Sequence, residues 1–358
     1  MNNNFWKGKK VFITGHSGFK GSWLSLWLIK LGATLKGYSL PPSTNPNTYS
    51  LFNLSNTMES EFGDINDYDK LLKSLQEFQP EIIFHMAAQP LVRYSYENPL
   101  ETYKTNIIGT ANLLECVKNL KGIKAVINIT TDKCYENNDD NKAYSEKDRM
   151  GGSDPYSSSK ACSELVTNAY RKSFFATNNY DDHGVALASA RAGNVIGGGD
   201  WSDDRIIPDI IRSVEQKIDL DIRNPNATRP WQHVLEPLAG YMTLAEKLYI
   251  DGINFSEAWN FGPNEDCSIS VLDLVKKLDT LWDKSINWNI DKGNHPKESN
   301  YLRLDISKSK NKLSWKPLLD IDTTLHFIID WSNAFVANED MKKFTISQIE
   351  SYESSLDL

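Results

Sequence analysis

Three short apolar runs constrain the fold most: Lys10–Thr14 (KVFIT), 81–87 (EIIFHMA) and 124–130 (KAVINIT). Each reads as a buried strand, and helical stretches lie between them. In 20–31 the side chains of Trp23, Leu24, Trp27 and Leu28 fall at helical spacing, which predicts an amphipathic helix. Further strands are expected at 34–39, at 57–65 (weaker) and at 184–195. Further helices are expected at 68–78 (ended by Pro80), 100–120 and 155–174. Strand and helix in alternation predict an α/β fold, a Rossmann-type doubly wound parallel sheet.

After Gly197 the pattern breaks into short mixed elements, at 205–215, 218–223, 231–235, 238–248, 257–261 and 270–282. These predict a smaller mixed α/β substrate-binding lobe. The expected division is a dinucleotide-binding domain at 1–197 with a return segment at 228–262, and a lobe at 198–227 and 263–358. A late helix is expected at 323–335, and the polar tail after Asn338 reads as a helix or as poorly ordered chain.

The chain's 358 residues are 40% hydrophobic, enough for a sizeable core, and its net charge is −8. That sign argues against nucleic acid or an anionic membrane as the main partner, while leaving room for a local basic pocket. Cys116, Cys134, Cys162 and Cys267 lie far apart with no C-x-x-C, as buried thiols of a reducing cytoplasm would. No segment is long and uncharged enough to span a bilayer, so a soluble cytoplasmic protein is expected. The six histidines form no metal-binding pattern, and no metal is expected.

Gly15-His16-Ser17-Gly18-Phe19-Lys20-Gly21 has the spacing G-x-x-G-x-x-G between a strand and a helix. Such glycines permit a tight turn and let a pyrophosphate rest on the helix N-terminus. Alone the motif is weak. Ala87 and Ala88, after the fourth strand, are small enough for a cofactor to pack closely, or are plain core. Asp64 and Ile65 are candidates for the adenine edge. The second strand ends at Ser39-Leu40-Pro41-Pro42, with neither the acid that marks NAD nor an Arg for a 2′-phosphate.

Tyr156 and Lys160 are four residues apart, on one face of the expected helix. A lysine ammonium beside a phenol favours the phenolate, a general base for a sugar hydroxyl. Thr131-Asp132-Lys133 follows the fifth strand, at the end where such sheets bind ligands. Asp132 is a candidate acid if buried in a water-poor pocket. Lys133 is a candidate base if burial and nearby positive charge keep it neutral, or else an ionic anchor.

Together these residues resemble the extended short-chain dehydrogenase/reductases and, within them, the sugar-nucleotide 4,6-dehydratases. Most members carry Glu after the Asp, and a Lys there is the pattern of the branch acting on CDP-glucose. Three runs extend the likeness: 15–24 (GHSGFKGSWL), 191–201 (RAGNVIGGGDW) and 229–237 (RPWQHVLEP). It covers nearly the whole chain, to about Pro317. It implies NAD as cofactor and CDP-glucose as substrate, with the keto-deoxy product serving surface-polysaccharide sugars. It also implies a homodimer or dimer of dimers built on helices 100–120 and 155–174.

The same resemblance implies the chemistry. Tyr156 takes the 4-hydroxyl proton as hydride leaves C4, with Lys160 holding the tyrosine ionised and Thr131 bonded near the 4-oxygen. Lys133 removes the C5 proton, Asp132 protonates the C6 hydroxyl, and hydride returns to C6. Asn194, Arg205 and Arg229 are the implied substrate-binding residues, with a further basic group between 295 and 305, Lys297 or Arg303. Two alternatives compete: another nucleotide-sugar 4,6-dehydratase or 4-epimerase, and a non-catalytic dinucleotide sensor. An epimerase needs no acid–base pair at 132–133, and a sensor is expected to lack Tyr156 or Lys160.

Overall fold

The computed structural model describes residues 4–138, 142–293 and 301–356. Its largest unit is a parallel sheet of seven strands: β1 (Lys10–Thr14), β2 (Thr34–Ser39), β3 (Glu59–Phe62), β4 (Ile82–His85), β5 (Ala125–Ile129), β6 (Ala186–Ala192) and β7 (Ala258–Phe261). The spatial order is β7-β6-β5-β4-β1-β2-β3. Val11 pairs with Leu35 on one side and Ile82 on the other, and Val126 pairs with Leu187. Helices cover both faces, so the central strands read as continuous apolar runs.

Side chains alternate across the sheet. Val11 and Ile13 pack with Trp23, Leu24 and Trp27 of helix α1 (Phe19–Lys30). Phe12 faces the other way, among Leu71, Leu75 and Phe78 of α2 (Tyr68–Phe78) and Leu113 and Val117 of α3 (Gly109–Lys118). Helix α4 (Pro155–Ser173) packs beside α3. Strand order reverses between β1 and β4, opening the crevice in which doubly wound sheets bind ligands.

A second core gathers Ile207 and Ile210 of α5 (Ile206–Gln216), Leu274 and Leu278 of α7 (Val271–Leu281), and Leu325 and Ile328 of α8 (Ile321–Val336). Between them, α6 (Leu235–Asp251) returns to the main sheet, where Leu238 and Met242 join the first core. Thr228–Pro230 pairs with Ser268–Ser270 inside the lobe, so the chain returns to the sheet later than 228. The tail after Asn338 forms α9 (Met341–Leu356), which packs on α1. The end of the chain therefore contacts the dinucleotide-binding unit, unlike the expected division.

The helix expected over 100–120 is interrupted. Pro99–Tyr103 is α-helical and Lys104–Ile108 makes a π-turn before α3. Asn106 explains the break: its side chain accepts from Gln89 N (2.9 Å) and donates to Gln89 O (3.0 Å) and Ser159 Oγ (2.8 Å). The extra residue in the turn aims the amide at α4, as π-bulges at functional sites do.

Candidate active site

Gly15 ends β1 at φ +76°, and a Cβ there would lie 2.7 Å from Ala87 N. A Cβ on Gly21 would lie 2.1 Å from Gly15 O. Both positions admit only glycine. Gly18 caps α1 without a side-chain acceptor, leaving the first N–H groups of the helix for a ligand. The turn floors a cavity of about 760 Å³, lined by Gly15, Ser17, Gly18, Phe19, Lys20 and Gly21 and by Asp64, Ile65, Ala87, Ala88, Tyr156 and Lys160. Its volume and its phosphate-binding turn fit a dinucleotide. Ser39, Leu40, Pro41 and Pro42 line its far end, and the Asp64 carboxylate accepts from Asn66 N at 2.9 Å.

His16 departs from expectation, for it does not line this cavity. It is wholly buried against Gly37, with its ring bonded to Ser60 Oγ (2.5 Å) and Ser39 Oγ (3.1 Å). Burial pushes its pKa down to about 4, so it is a neutral packing group between β1 and β2.

A second cavity of about 300 Å³ opens on the lobe side. Thr131, Lys133, Asn194, Arg205, Arg223 and Arg229 line it. Phe19, Lys20, Thr130, Tyr156, Asp200 and Arg205 line both cavities and form the seam between them.

Helix α4 brings Tyr156 to that seam. Pro155 occupies the first turn, and Asp154 caps it by accepting from Ser157 N at 2.9 Å. Tyr156 is buried, and burial pushes its phenol up to about 12; the Thr131 hydroxyl and Arg205 pull down, and Asp132 pushes up. The expected Lys160 effect is overruled. Lys160 Nζ donates to Ile129 O at 3.3 Å, and its own pKa falls to about 8 by burial, against Glu164 and Cys134. Arg205 also pulls the phenol down, after the Thr131 hydroxyl.

Thr131 caps a short turn, Asp132–Cys134, and its Oγ1 donates to Asp132 Oδ1 at 3.1 Å. Asp132 is fully buried and lines neither cavity. A Cβ on Gly193 would lie 1.5 Å from Asp132 Oδ2, an oxygen without a hydrogen-bond partner among the described residues. The carboxylate is thus recessed behind Thr131. Lys133 is half-buried on the wall of the second cavity.

Of the expected phosphate ligands, Asn194 sits at φ +45° with its buried Oδ1 unpartnered among the described residues. Arg229 is buried, with Nη1 donating to Thr228 O at 3.1 Å. Arg205 pairs with Asp200 at 2.9 Å. Arg303 does not line either cavity: Glu265 and Tyr301 hold its guanidinium, which explains the departure. Lys297 lies outside the described residues.

Sequence reasoning missed three features. Arg93 and Arg223 reach the second cavity and share Asp204, although they lie far apart in sequence with no motif to mark them. A buried network backs α4: Glu164 accepts from Thr130 Oγ1 (2.5 Å), Ser189 Oγ (2.7 Å) and Arg191 Nη2 (2.7 Å). Glu164 lies four residues beyond Lys160 on the same helix face, a spacing that was legible. Third, Lys20 reaches the seam as well as the glycine turn. Among the described residues no three His, Cys, Asp or Glu side chains gather to hold a metal, and no helix is long and apolar enough to cross a membrane.

A family model described as GDP-mannose 4,6 dehydratase matches residues 12–327. The chain belongs to this family. It is 54% identical over 355 residues to CDP-glucose 4,6-dehydratase of Salmonella typhimurium, covering 99% of each chain. It is 24% identical over 351 residues to dTDP-glucose 4,6-dehydratase of the same organism, covering 90% of this chain and 92% of the relative. Among solved structures it resembles UDP-glucuronic acid 4-epimerase from Bacillus cereus in complex with UDP-glucuronic acid and NAD (TM-score 0.77, 25% identity, 91% of this chain and 99% of the other). It shares its fold with dTDP-glucose 4,6-dehydratase from Bacillus anthracis in complex with NAD (TM-score 0.74, 22% identity, 91% and 97% covered). Dehydratases and epimerases thus share this architecture.

Proposed function

We propose that the chain is an NAD-dependent hydro-lyase that converts CDP-glucose to CDP-4-dehydro-6-deoxyglucose. One observation carries the reading: Tyr156 stands in the wall shared by a dinucleotide-sized cavity and a cavity lined by Thr131, Lys133 and arginines. Identity of 54% across 99% of both chains with a CDP-glucose 4,6-dehydratase supports the substrate.

The glycine turn, Asp64, Ala87, Ala88 and Lys160 would hold NAD, which would supply the hydride acceptor and donor of the cycle. Tyr156 takes the proton of the 4-hydroxyl, with the Thr131 hydroxyl and Arg205 stabilising the phenolate. The new ketone acidifies the C5 hydrogen, which Lys133 removes. Arg205, Arg229 and Asn194 bind the diphosphate, since guanidinium groups hold paired oxyanions with fixed geometry. The enzyme acts in the cytoplasm as a homodimer or a dimer of dimers. Leu100 is 82% exposed and Leu165 56% exposed, on the two helical segments that would pack against a second copy.

Incubation with NAD and CDP-glucose tests the reading. Mass loss of one water and the alkaline chromophore of a 4-keto-6-deoxy sugar are expected from CDP-glucose and not from dTDP- or GDP-sugars. Bound NAD with no product from any nucleotide sugar would sink it in favour of a sensor.

A further inference from the structure

In the dehydratase reading, on which this inference rests, the elimination falls to one short turn. Asp132–Cys134 carries Asp132 and Lys133 just beyond β5. The turn does little to fix itself. Lys133 N donates to Thr131 Oγ1 at 3.4 Å, and Thr131 Oγ1 donates to Asp132 Oδ1 at 3.1 Å. Both bonds are long, and Asp132 Oδ2 has no hydrogen-bond partner among the described residues. The turn is held by the chain that follows it. Gly151 N donates to Cys134 O at 2.9 Å, and the next residue is Tyr135.

Tyr135 is buried and lines neither cavity. Its ring stacks on Tyr144, with centres 5.4 Å apart and planes at 17°, in a cluster with Cys134 and with Ala161 of α4, the residue after Lys160. A phenylalanine would fill that space as well. The hydroxyl has its own setting. It accepts from Arg191 Nη1 of β6 at 2.7 Å and donates to Asn260 Oδ1 of β7 at 2.6 Å. Arg191 and Asn260 are buried and pair across the two strands. Each is also held on its other side. Arg191 Nη2 donates to Glu164 of α4 at 2.7 Å. Asn260 N donates to Glu146 at 2.9 Å, and its Nδ2 donates to Tyr144 O at 2.9 Å and Asp305 O at 3.1 Å. Glu164 accepts in turn from Thr130 Oγ1, where the chain leaves β5 for the turn. One run of hydrogen bonds thus joins α4, which carries Tyr156 and Lys160, through β6 and β7 to the residue that ends the turn.

We propose that Tyr135 is a positioning residue for the elimination. Its hydroxyl, fixed between Arg191 and Asn260, holds the turn of Asp132 and Lys133 in register with α4. Oxidation at C4 depends on α4 and elimination on the turn, and one sugar must meet both. Without the hydroxyl the ring still packs, but the turn can shift against α4. Arg191 Nη1 and Asn260 Oδ1 then lose their shared partner inside the protein, where an unpaired polar group is costly. The defect falls on the second step, because Tyr156 and Lys160 keep their places on their own helix.

Single-turnover and steady-state reactions of CDP-glucose and NAD test this with Tyr135→Phe, Asn260→Ser and Tyr144→Phe beside the wild-type enzyme. Tyr135→Phe should lower kcat roughly 10–100-fold, as misplacing reacting groups by about 1 Å does. KM should stay within about 2-fold, since Arg205 and Arg229 are untouched. Absorbance of reduced nicotinamide should build up on the enzyme, because oxidation keeps its pace while elimination lags. Asn260→Ser withdraws the acceptor from the tyrosine and leaves its ring in place. It should show the same split between the steps, and it decides the matter should Tyr135→Phe fail to fold. Tyr144→Phe removes another hydroxyl of the cluster, one that donates to Asn137 at 3.2 Å, and should slow both steps together or neither. Turnover of Tyr135→Phe within about 3-fold of wild type, equal loss in both steps, or the same build-up in Tyr144→Phe would each overturn the assignment. Wild-type protein inert toward CDP-glucose would instead remove the dehydratase reading, and the assignment with it.

Discussion

The two cavities that meet at Tyr156 are built by different means. The glycine turn offers backbone N–H groups and the end of a helix, which attract phosphate without any ionised side chain. The lobe cavity offers guanidinium groups, and these are already engaged: Arg205 by Asp200, and Arg93 and Arg223 by Asp204. Fixed dipoles need no counter-charge when a ligand is absent, whereas half-buried cations do. A cofactor retained through the cycle suits the first kind of site. A substrate that must enter and leave suits the second, because the local acids take back the arginines as product departs.

Removal of the group at the seam should have the largest effect. Tyr156→Phe should lower turnover about 10²–10⁴-fold, with no reduced nicotinamide formed in single-turnover absorbance. Substantial reduction of NAD by Tyr156→Phe would show that another group starts the reaction.

The support beneath the seam comes next. Glu164→Gln leaves the buried charge of Arg191 uncompensated, and breaking such a pair costs about 3–5 kcal/mol, readable by urea unfolding. Burial would push the Glu164 carboxyl up, but Arg191 and the bonds from Thr130 and Ser189 hold it below its ordinary 4.5. A carboxyl depressed by folding adds stability above its ordinary pKa and loses it as pH falls through the folded value. Wild-type melting temperature should therefore drop on acidification below 4.5, and Glu164→Gln should flatten that drop.

The contrast between the cavities is sharpest in the next pair. Gly15→Ala should cost about 1–3 kcal/mol in strain at φ +76° and displace Ala87, so that NAD no longer co-elutes on gel filtration. Arg229→Ala should leave NAD bound and raise KM for CDP-glucose about 10–100-fold, the loss of a charged hydrogen bond. Equal effects of both variants on both ligands would erase the distinction. Smallest of all, Arg303→Ala should change KM by no more than about 2-fold, as befits a solvent-screened pair with Glu265.

How much of this was legible in the sequence follows the same contrast. The sheet and the glycine turn are local: five residues of β1 and seven of the turn contain nearly everything needed to recognise them. Tyr156 and Lys160 were legible because a helix fixes the spacing of their side chains. Their electrostatics were not. Burial pushes Tyr156 up, and the pull down comes first from the Thr131 hydroxyl and then from Arg205, both distant in sequence. His16 and Lys20 stand in the same motif, yet one turns beneath β2 and the other reaches the substrate seam. Only the packing of Gly37 and Tyr241 around them decides that. The lobe was least legible, since Arg93, Asp204 and Arg223 converge from three elements with no shared spacing.

Helix α9 ties a distant stretch of chain to the helix beneath the cofactor site. Trp27 Nε1 and Lys30 of α1 bond Glu353 at 2.8 and 2.6 Å. Tyr352 donates to Glu236 of α6 at 2.7 Å, and Glu236 also accepts from Leu318 and Leu319 N. Helix α1, whose start floors the dinucleotide cavity, is thus clasped by a helix more than three hundred residues away in sequence and one side chain away in space. Disturbing α9 therefore bears on the helix that receives the cofactor.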